Sequence, residues 1–249
     1  MPRWNDSSKY LEKTLSEGTS CVFEYKQSDG YLYVDDVKTT HRNRWILVWG
    51  VKRGGSSGST SNSTAGGGGG GVGEIICVLD CGQSVKIICN SGSSTQIQRK
   101  NDGLTYTTLL TANKGGDGSN TTKGTGCTGV LNNTTGIIRS YVRTGGDGGG
   151  TGGSTSSIAI GVPDNAPDMI EGNIGGASGG SSSNDLTIDD PGGGGASLLG
   201  NGGSAVKDSK AVNVGLGHGG GASGSWEDNI LGQPTGKNSG GAGRAIIRY

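Results

Sequence analysis

The residues of this sequence that could bind another molecule lie in polar segments between glycine-rich tracts. In SWEDNILGQPTG (225–236), a tryptophan precedes two carboxylates. Such a tryptophan can stack on a sugar face or anchor in a protein pocket, but it could equally pack under its own loop and cap the tracts. IAIGVPDNAPDM (158–169) contains two X-Pro dipeptides that stiffen it, and SSSNDLTIDDP (181–191) is acidic and rich in hydroxyls. The candidate binding residues in these three loops are Pro163, Asp164, Asn165, Asn184, Asp185, Trp226, Glu227 and Asp228.

Motifs that usually mark catalysis occur here only as fragments of glycine-rich sequence. G-x-G-x-x-G matches at 124–129 and 148–153, but without the strand–turn–helix context that gives the motif its meaning. G-x-S-x-G at 176–180 likewise lacks a strand and a helix on either side. His41 and His218 are the only histidines, so a nucleophile–base pair has almost no candidates. We expect no enzymatic activity, no catalytic residue and no cofactor.

The number and spacing of the cysteines indicate structural thiols rather than a metal site. Five cysteines are an odd number, so they cannot form a complete disulfide framework. Cys77, Cys81 and Cys89 have the same parity and could share the face of a sheet, but their C-x3-C-x7-C spacing is not a common zinc pattern and no histidine is near. We expect buried free thiols that pack as small apolar side chains, and no bound metal.

Charge and hydropathy exclude several classes of partner. The formal net charge is +0, which argues against nucleic acid or an anionic membrane as the main partner. No run approaches the roughly 20 apolar residues of a membrane span, and MPRWNDSSKY has no apolar signal core. We therefore expect cytoplasmic synthesis without membrane insertion.

The chain contains 54 glycines in 249 residues, and glycine tracts dominate its second half. Read every third residue, GGGGASLLGNGG (192–203) falls into columns, one of which is Gly194, Ser197, Gly200 and Gly203. A threefold screw is the geometry of polyproline II, and columns of glycine allow such helices to approach closely. The pattern predicts an array of packed polyglycine II-type helices, with the polar inserts as loops at its ends.

The N-terminal part of the chain has a different composition and predicts a separate module. Residues 1–53 contain three of the four tryptophans and few glycines. Asp6 or Ser7 can cap a helix that continues to about Glu17, and Asp29-Gly30 marks a hairpin. We expect a small mostly-β (α+β) module at 1–53, a linker or end loop at 54–65, β-hairpins at 66–144 and the array at 145–249. The aromatic residues predicted to attach the module to a partner are Trp4, Tyr31, Tyr33, Trp45 and Trp49.

The order of these elements resembles a known family. GGGGGG followed by EIICVLDCGQSVKII, then LLTANKGGDG, GGGGASLLGNGG and a terminal GGAGRAIIRY, is similar to the glycine-rich domain of bacteriophage tail-fibre proteins. The C-terminal half more distantly resembles the tip adhesins of T-even-like phages, in which polyglycine II helices hold variable loops. The resemblance covers about 66–249 and implies roles for segments, with the tracts as scaffold and the inserts as tips.

The resemblance implies a virion protein at the tip of a tail fibre, synthesised in the host cytoplasm. Residues 1–53 would bind another tail-fibre or baseplate protein, and the inserts would bind a host cell-surface protein or glycan. The alternative is a structural virion protein that joins fibre parts or decorates the virion without binding a receptor. A third hypothesis, an ice-binding or matrix protein, predicts regular Thr or Ala columns, whereas these tracts contain mixed Asp, Asn, Leu and His.

Overall fold

A computed structural model describes residues 10–42, 44–52, 65–101, 105–118, 122–148, 194–195, 197, 199–203, 216–218 and 240–249. The described residues form strands that pair only antiparallel. In chain order the strands are β1 Glu12–Ser16, β2 Thr19–Lys26, β3 Tyr31–Val34, β4 Val37–Lys38, β5 Trp45–Val51, β6 Val72–Val78, β7 Ser84–Cys89, β8 Thr95–Lys100, β9 Thr107–Ala112, β10 Gly129–Leu131, β11 Ile137–Arg143, β12 Leu199–Asn201, β13 Leu216–His218 and β14 Arg244–Arg248.

Two large sheets pack face to face. The seven-stranded sheet has the order β10-β9-β8-β7-β2-β3-β4, and the five-stranded sheet has the order β1-β14-β5-β6-β11. A separate pair, β12 and β13, matches Leu199 with His218 and Asn201 with Leu216. Both large sheets combine strands that are distant in sequence, so tertiary contacts determine the pairing.

The core lies between the two large sheets. Strand β8, with the sequence TQIQRK, alternates buried and half-buried residues as expected for one covered face. Phe23 of the seven-stranded sheet is fully buried and meets the ring of Tyr249 edge to face, with centroids 4.9 Å apart. Ile46, Val48 and Ile75 contribute from the five-stranded sheet.

The central strands of the five-stranded sheet are buried on both faces. Ile46 and Val48 face the main core, while Leu47 and Trp49 belong to a second buried cluster together with Ile246. A strand that is covered on both faces has a nearly continuous apolar sequence. This explains the run WILVWGV in β5.

The predicted fold class, an α+β module followed by a helix array, is wrong. The described residues contain two large antiparallel sheets and no helix. Within the helix expected up to Glu17, residues 12–16 form β1, where Leu15 is buried and Leu11 is 41% exposed. The i,i+4 spacing places these two leucines on one face of either a helix or a strand and so does not distinguish the two, and pairing with β14 at the other end of the chain decides for the strand.

The described parts of the glycine tracts are also not helices. The first tract continues directly into β6, and the tracts at 192–203 and 215–224 contain the paired strands β12 and β13. The reason is that isolated glycine segments have no internal hydrogen bonds in a threefold screw, so their amides bond to whatever backbone lies beside them. Where the neighbouring backbone is extended and aligned, the two segments pair as β-strands.

The N-terminal strands do not form a module of their own. Strand β2 pairs with β7, and β5 pairs with both β6 and β14. Residues 12–51 therefore supply strands to both large sheets. The domain limits at 53, 65 and 144 stay predictions.

An ion pair between a fully buried lysine and a half-buried glutamate joins the turn after β1 to the end of β5. Lys52 has no exposed surface, and its Nζ donates to Oε1 of Glu17 at 2.5 Å and to the backbone carbonyl of Asn90. Glu17 lies in the turn between β1 and β2, next to Gly18, whose φ of 84° requires the left-handed conformation. The pair connects this turn to the residue after β5.

We predict that Glu17→Gln destabilises the protein by about 3 kcal/mol, because it leaves a buried ammonium without its carboxylate. The double variant Glu17→Gln with Lys52→Met should recover most of this loss, since the buried charge is then absent. Urea unfolding measures both free energies. A double variant that is no more stable than Glu17→Gln would contradict this account of the pair.

Candidate binding surface

A group of glycine-rich segments packs around residues 66–71. All six glycines of this segment are buried. Their amide and carbonyl groups bond to backbone on several sides rather than within one sheet. We call the whole group the glycine core, and it consists of 66–71, 113–118, 123–128, 145–148, 194–195, 197 and 202–203.

The hydrogen bonds of the glycine core connect distant parts of the chain. Gly68 donates to the carbonyl of Gly116 at 2.9 Å, and Gly69 donates to that of Gly146 at 2.8 Å. The carbonyl of Gly69 in turn accepts from Cys127 at 3.0 Å. Each bond satisfies a buried backbone group that would otherwise cost free energy.

The segments of the glycine core are too close together for side chains. A Cβ on Gly68, Gly124 or Gly145 would overlap backbone atoms of a neighbouring segment. At Gly116 it would lie 2.8 Å from the amide nitrogen of Thr125. Glycine is therefore required at these positions by the approach of one backbone to another, independently of φ.

The glycine core holds residues that flank three of the four polar inserts. Gly148 donates to Gly124 at 2.8 Å and Gly195 donates to Gly67 at 2.8 Å, so the residues on either side of 149–193, the segment with the inserts 154–171 and 181–191, are bonded there. Gly194 donates to Gly203 at 2.8 Å, immediately before the insert 204–214. The inserts carry eight of the predicted site residues, all outside the described residues: Pro163, Asp164, Asn165, Asn184, Asp185, Trp226, Glu227 and Asp228.

The outer face of the seven-stranded sheet carries side chains that can recognise a ligand. The strand register places Lys100, Ser84, Glu24, Tyr33 and Lys38 in one row across β8, β7, β2, β3 and β4. Residues directly opposite one another in a sheet share a face. Since Phe23 points into the core, its neighbour Glu24 and the whole row lie on the outer face.

Two of the predicted attachment residues belong to this outer face. Tyr31 lies between two cations, with Lys38 Nζ 4.0 Å and the Arg42 guanidinium carbon 4.7 Å from its ring centre. A hydrogen bond from Arg42 lowers the pKa of Tyr31, and a hydrogen bond to Asp29 raises the pKa of Tyr33. Both tyrosines are only half-buried, so they can contact another molecule.

The other predicted attachment residues are placed differently. Trp49 is fully buried in the second cluster of the five-stranded sheet, and Trp45 packs against that cluster while half-buried. Trp4 lies outside the described residues. The structure thus separates Tyr31 and Tyr33 from Trp45 and Trp49, which belong to different sheets.

A cleft lies at the end of the same outer face. Its volume is about 370 Å³, and its lining includes Glu24, Asp35, Asp36, Lys100 and Tyr106. Asp35 and Asp36 form the two-residue turn between β3 and β4 and have φ of 48° and 64°. Sequence reasoning did not single out this turn, although two aspartates between the apolar runs YLYV and VK are a turn signal.

The carboxylate of Asp35 is fixed by its own fold. Its Oδ1 accepts from the amide of Val22 at 2.8 Å and its Oδ2 from Lys13 Nζ at 2.7 Å. Burial opposes ionisation, but these two hydrogen bonds outweigh it and lower the pKa of Asp35. Asp35 thereby ties the turn to β1 and β2 and shapes one wall of the cleft.

The cysteines take three kinds of position. Cys21, Cys77 and Cys89 are buried, Cys127 is half-buried and Cys81 is exposed in the turn before β7. Burial raises the pKa of Cys21 and of Cys77 to about 12, so these thiols stay protonated. Cys77 and Cys89 lie on strands of different sheets and Cys81 lies in a turn, and the described residues contain no cluster of three potential metal ligands.

No family model matches the chain, and no curated protein sequence matches it significantly. Among the described residues, no helix has the length and apolar character needed to cross a membrane.

We predict that Gly68→Ala destabilises the protein by about 3 kcal/mol or more, because the new methyl group would overlap the backbone of Thr125. Gly92→Asn is the matched control. Gly92 has φ of 75°, which asparagine tolerates, and open space where its Cβ would lie. Denaturant unfolding of both variants measures the difference, and equal losses would contradict tight packing in the glycine core.

We also predict an acid-sensitive contribution from Asp147, whose Oδ1 accepts from the amide of Gly126 at 2.8 Å. This hydrogen bond, together with Lys123, lowers the pKa of Asp147 in the folded state. The carboxylate therefore stabilises the fold above the unfolded pKa of about 3.9, and this contribution disappears as pH falls through the lower folded value. Asp147→Asn should cost about 1 kcal/mol at pH 7 and little near pH 2. A loss of stability that is equal at both pH values would contradict this role.

Proposed function

We propose that this chain is a receptor-binding protein at the tip of a bacteriophage tail fibre, and hence a virion component. The glycine core and the two sheets act as its scaffold, and the polar inserts contact a host cell-surface protein or glycan. The resemblance of the element order to tail-fibre glycine-rich domains suggests this function.

The single observation that supports the proposal best is the bonding of insert ends in the glycine core. Gly148 and Gly195 flank 149–193, the segment with the inserts 154–171 and 181–191, and are both hydrogen-bonded there. The pairing of β12 with β13 brings together the residues before and after the insert 204–214 in the same way. A scaffold that fixes the ends of long polar segments suits a protein whose recognition depends on loops.

Attachment to another tail-fibre or baseplate protein is the proposed role of residues 1–53. In this segment, Tyr31 and Tyr33 are half-buried on an outer sheet face with Lys26, Lys38 and Arg42 around them. Tyrosine and arginine are common in the energetically important part of protein interfaces. The buried Trp49 belongs to the other sheet, so it would stabilise the fold rather than touch the partner.

A structural fibre-joining or decoration protein is the second candidate function. It is favoured by Val37, which lies at the sheet edge in strand β4 and is 69% exposed. A strand of two residues is too short to pair extensively with another chain, so the contact would be made by this apolar side chain. In this case the inserts would be covered by other virion proteins instead of facing the host.

The test is competition for adsorption between the purified chain and phage particles that carry it. We expect the chain to bind host cells and slow adsorption, and we expect replacement of 225–239 by Gly and Ser of equal length to remove this effect. Val130→Ser, an exposed position on edge strand β10, is the control and should compete like the wild type.

Unfolding midpoints must be similar for all variants, so that a loss of competition reports on contact rather than folding. No binding of host cells by the wild-type chain would contradict the proposed function. Binding that survives the replacement would show that host recognition does not depend on 225–239.

A further inference from the structure

The cleft on the seven-stranded sheet has the size and shape of a small ligand site. It opens between the turn Asp35-Asp36, the strand β2, the residues Gly82 and Ser84 near the start of β7, and Tyr106 before β9. Its volume of about 370 Å³ lies at the small end of the roughly 300–1,000 Å³ typical of ligand sites. One or two sugar rings are of this size.

Tyr106 supplies an aromatic surface to the cleft. The residue is 37% exposed and belongs to neither buried core cluster. Its hydroxyl lies 3.4 Å from Ser84 Oγ, and Lys86 Nζ is 5.9 Å from its ring centre. These contacts limit the positions of the ring without burying it, so a ligand with an apolar face can stack on it.

The carboxylates opposite Tyr106 divide into one structural and two available groups. Asp35 is used by the amide of Val22 and by Lys13. The side chains of Asp36 and Glu24 are 89% and 38% exposed, and both approach Lys26 Nζ, at 3.3 Å and 3.9 Å. Their remaining oxygen lone pairs can accept hydrogen bonds from a ligand.

The backbone conformation of Asp36 also distinguishes it from the structural Asp35. A φ of 64° at the second position of a two-residue turn is best served by glycine, and an aspartate there costs free energy. For Asp35 the fold recovers this cost through two hydrogen bonds to its carboxylate. For Asp36 the corresponding contact is a single ion pair at an exposed side chain, which contributes little.

The charge of the lining selects the kind of ligand. Three carboxylates and one lysine, Lys100, line the cleft, and Lys13 and Lys26 pair with these carboxylates, so the site has no excess positive charge to hold an anion. The described residues offer no group of three ligands fit for a metal ion, so these carboxylates do not form a cation site. Hydroxyl groups that donate to carboxylates, combined with a face that stacks on tyrosine, are the properties of an uncharged sugar.

We propose that this cleft binds an uncharged pyranose, which stacks on Tyr106 and donates hydroxyl hydrogen bonds to Glu24 and Asp36. Lys100 and Ser84 offer further donors at the floor of the cleft. The identification of this sugar with a host surface glycan rests on the proposed function, whereas the sugar site itself does not. The site is also distinct from the inserts at 154–239.

Saturation-transfer NMR with the purified chain tests the proposal directly. The probes are methyl α-D-glucopyranoside, methyl α-D-galactopyranoside, methyl α-D-mannopyranoside and N-acetylglucosamine, with sodium glucuronate as the anionic comparison. We expect transfer to at least one uncharged sugar and weaker transfer to glucuronate. No transfer to any uncharged sugar, or the strongest transfer to glucuronate, would overturn the proposal.

Three variants locate the binding. Tyr106→Ala should weaken transfer by at least about fivefold, as expected for loss of a stacking anchor. Asp36→Gly should weaken it too, while the thermal midpoint stays equal or rises because glycine relieves the turn. Gln96→Ala, on the same sheet face but outside the cleft, should bind like the wild type. Undiminished transfer in both Tyr106→Ala and Asp36→Gly would overturn the assignment to this cleft.

The adsorption assay distinguishes failure of the sugar site from failure of the proposed tail-fibre function. If Tyr106→Ala loses sugar binding but still competes with phage, the cleft is a sugar site that adsorption does not use. If the wild-type chain binds sugar without binding host cells, the cleft is supported and the tail-fibre function is not.

Discussion

Contact between backbones around residues 66–71 is the constraint on which the structure depends. Every glycine in this segment is buried, and a Cβ on Gly68 or Gly71 would overlap a neighbouring segment. Ordering each glycine costs roughly 0.5–1 kcal/mol more than ordering alanine. A hydrogen bond returns about 0.5–1.5 kcal/mol, so the segment is stable only if nearly all of its amides and carbonyls are bonded. This condition fixes which segments must surround it.

The glycine core also fixes the two sheets. Gly71 accepts from Lys52 at the end of β5, donates to Asn113 just after β9 and leads directly into β6. On the other side, Thr128 and Thr144 pair at the junction with β10 and β11. Strands of both sheets therefore begin or end in the glycine core. A change in the spacing of its segments would change the distance between the sheets, which the side chains of the main core must fill.

The sequence allowed some local elements to be predicted but little of their pairing. The turn at Asp29-Gly30 lies between β2 and β3 as expected, with Gly30 at φ of 69°, because its signal is local. The helix expected up to Glu17 is strand β1, because its partner β14 lies more than 200 residues away. The column pattern of the tracts predicted packed helices, whereas residues 199–201 and 216–218 form the paired strands β12 and β13. In the cleft, the Asp35-Asp36 turn has a recognisable turn sequence. Tyr106 has no such local signal, because only the register of the sheet brings it next to this turn.

The same constraint decides where recognition can occur. The backbone groups of the glycine core are used in its own hydrogen bonds, and its glycines have no side chains to offer. Specific contacts with another molecule need side chains whose positions are fixed but whose polar atoms are still available. The outer face of the seven-stranded sheet meets this condition, since rigid strands position Glu24 and Tyr33 while their tips remain accessible. If the proposed binding is correct, a change of sequence in the sheet face or in the inserts can change which molecule is bound. The glycines of the scaffold need not change.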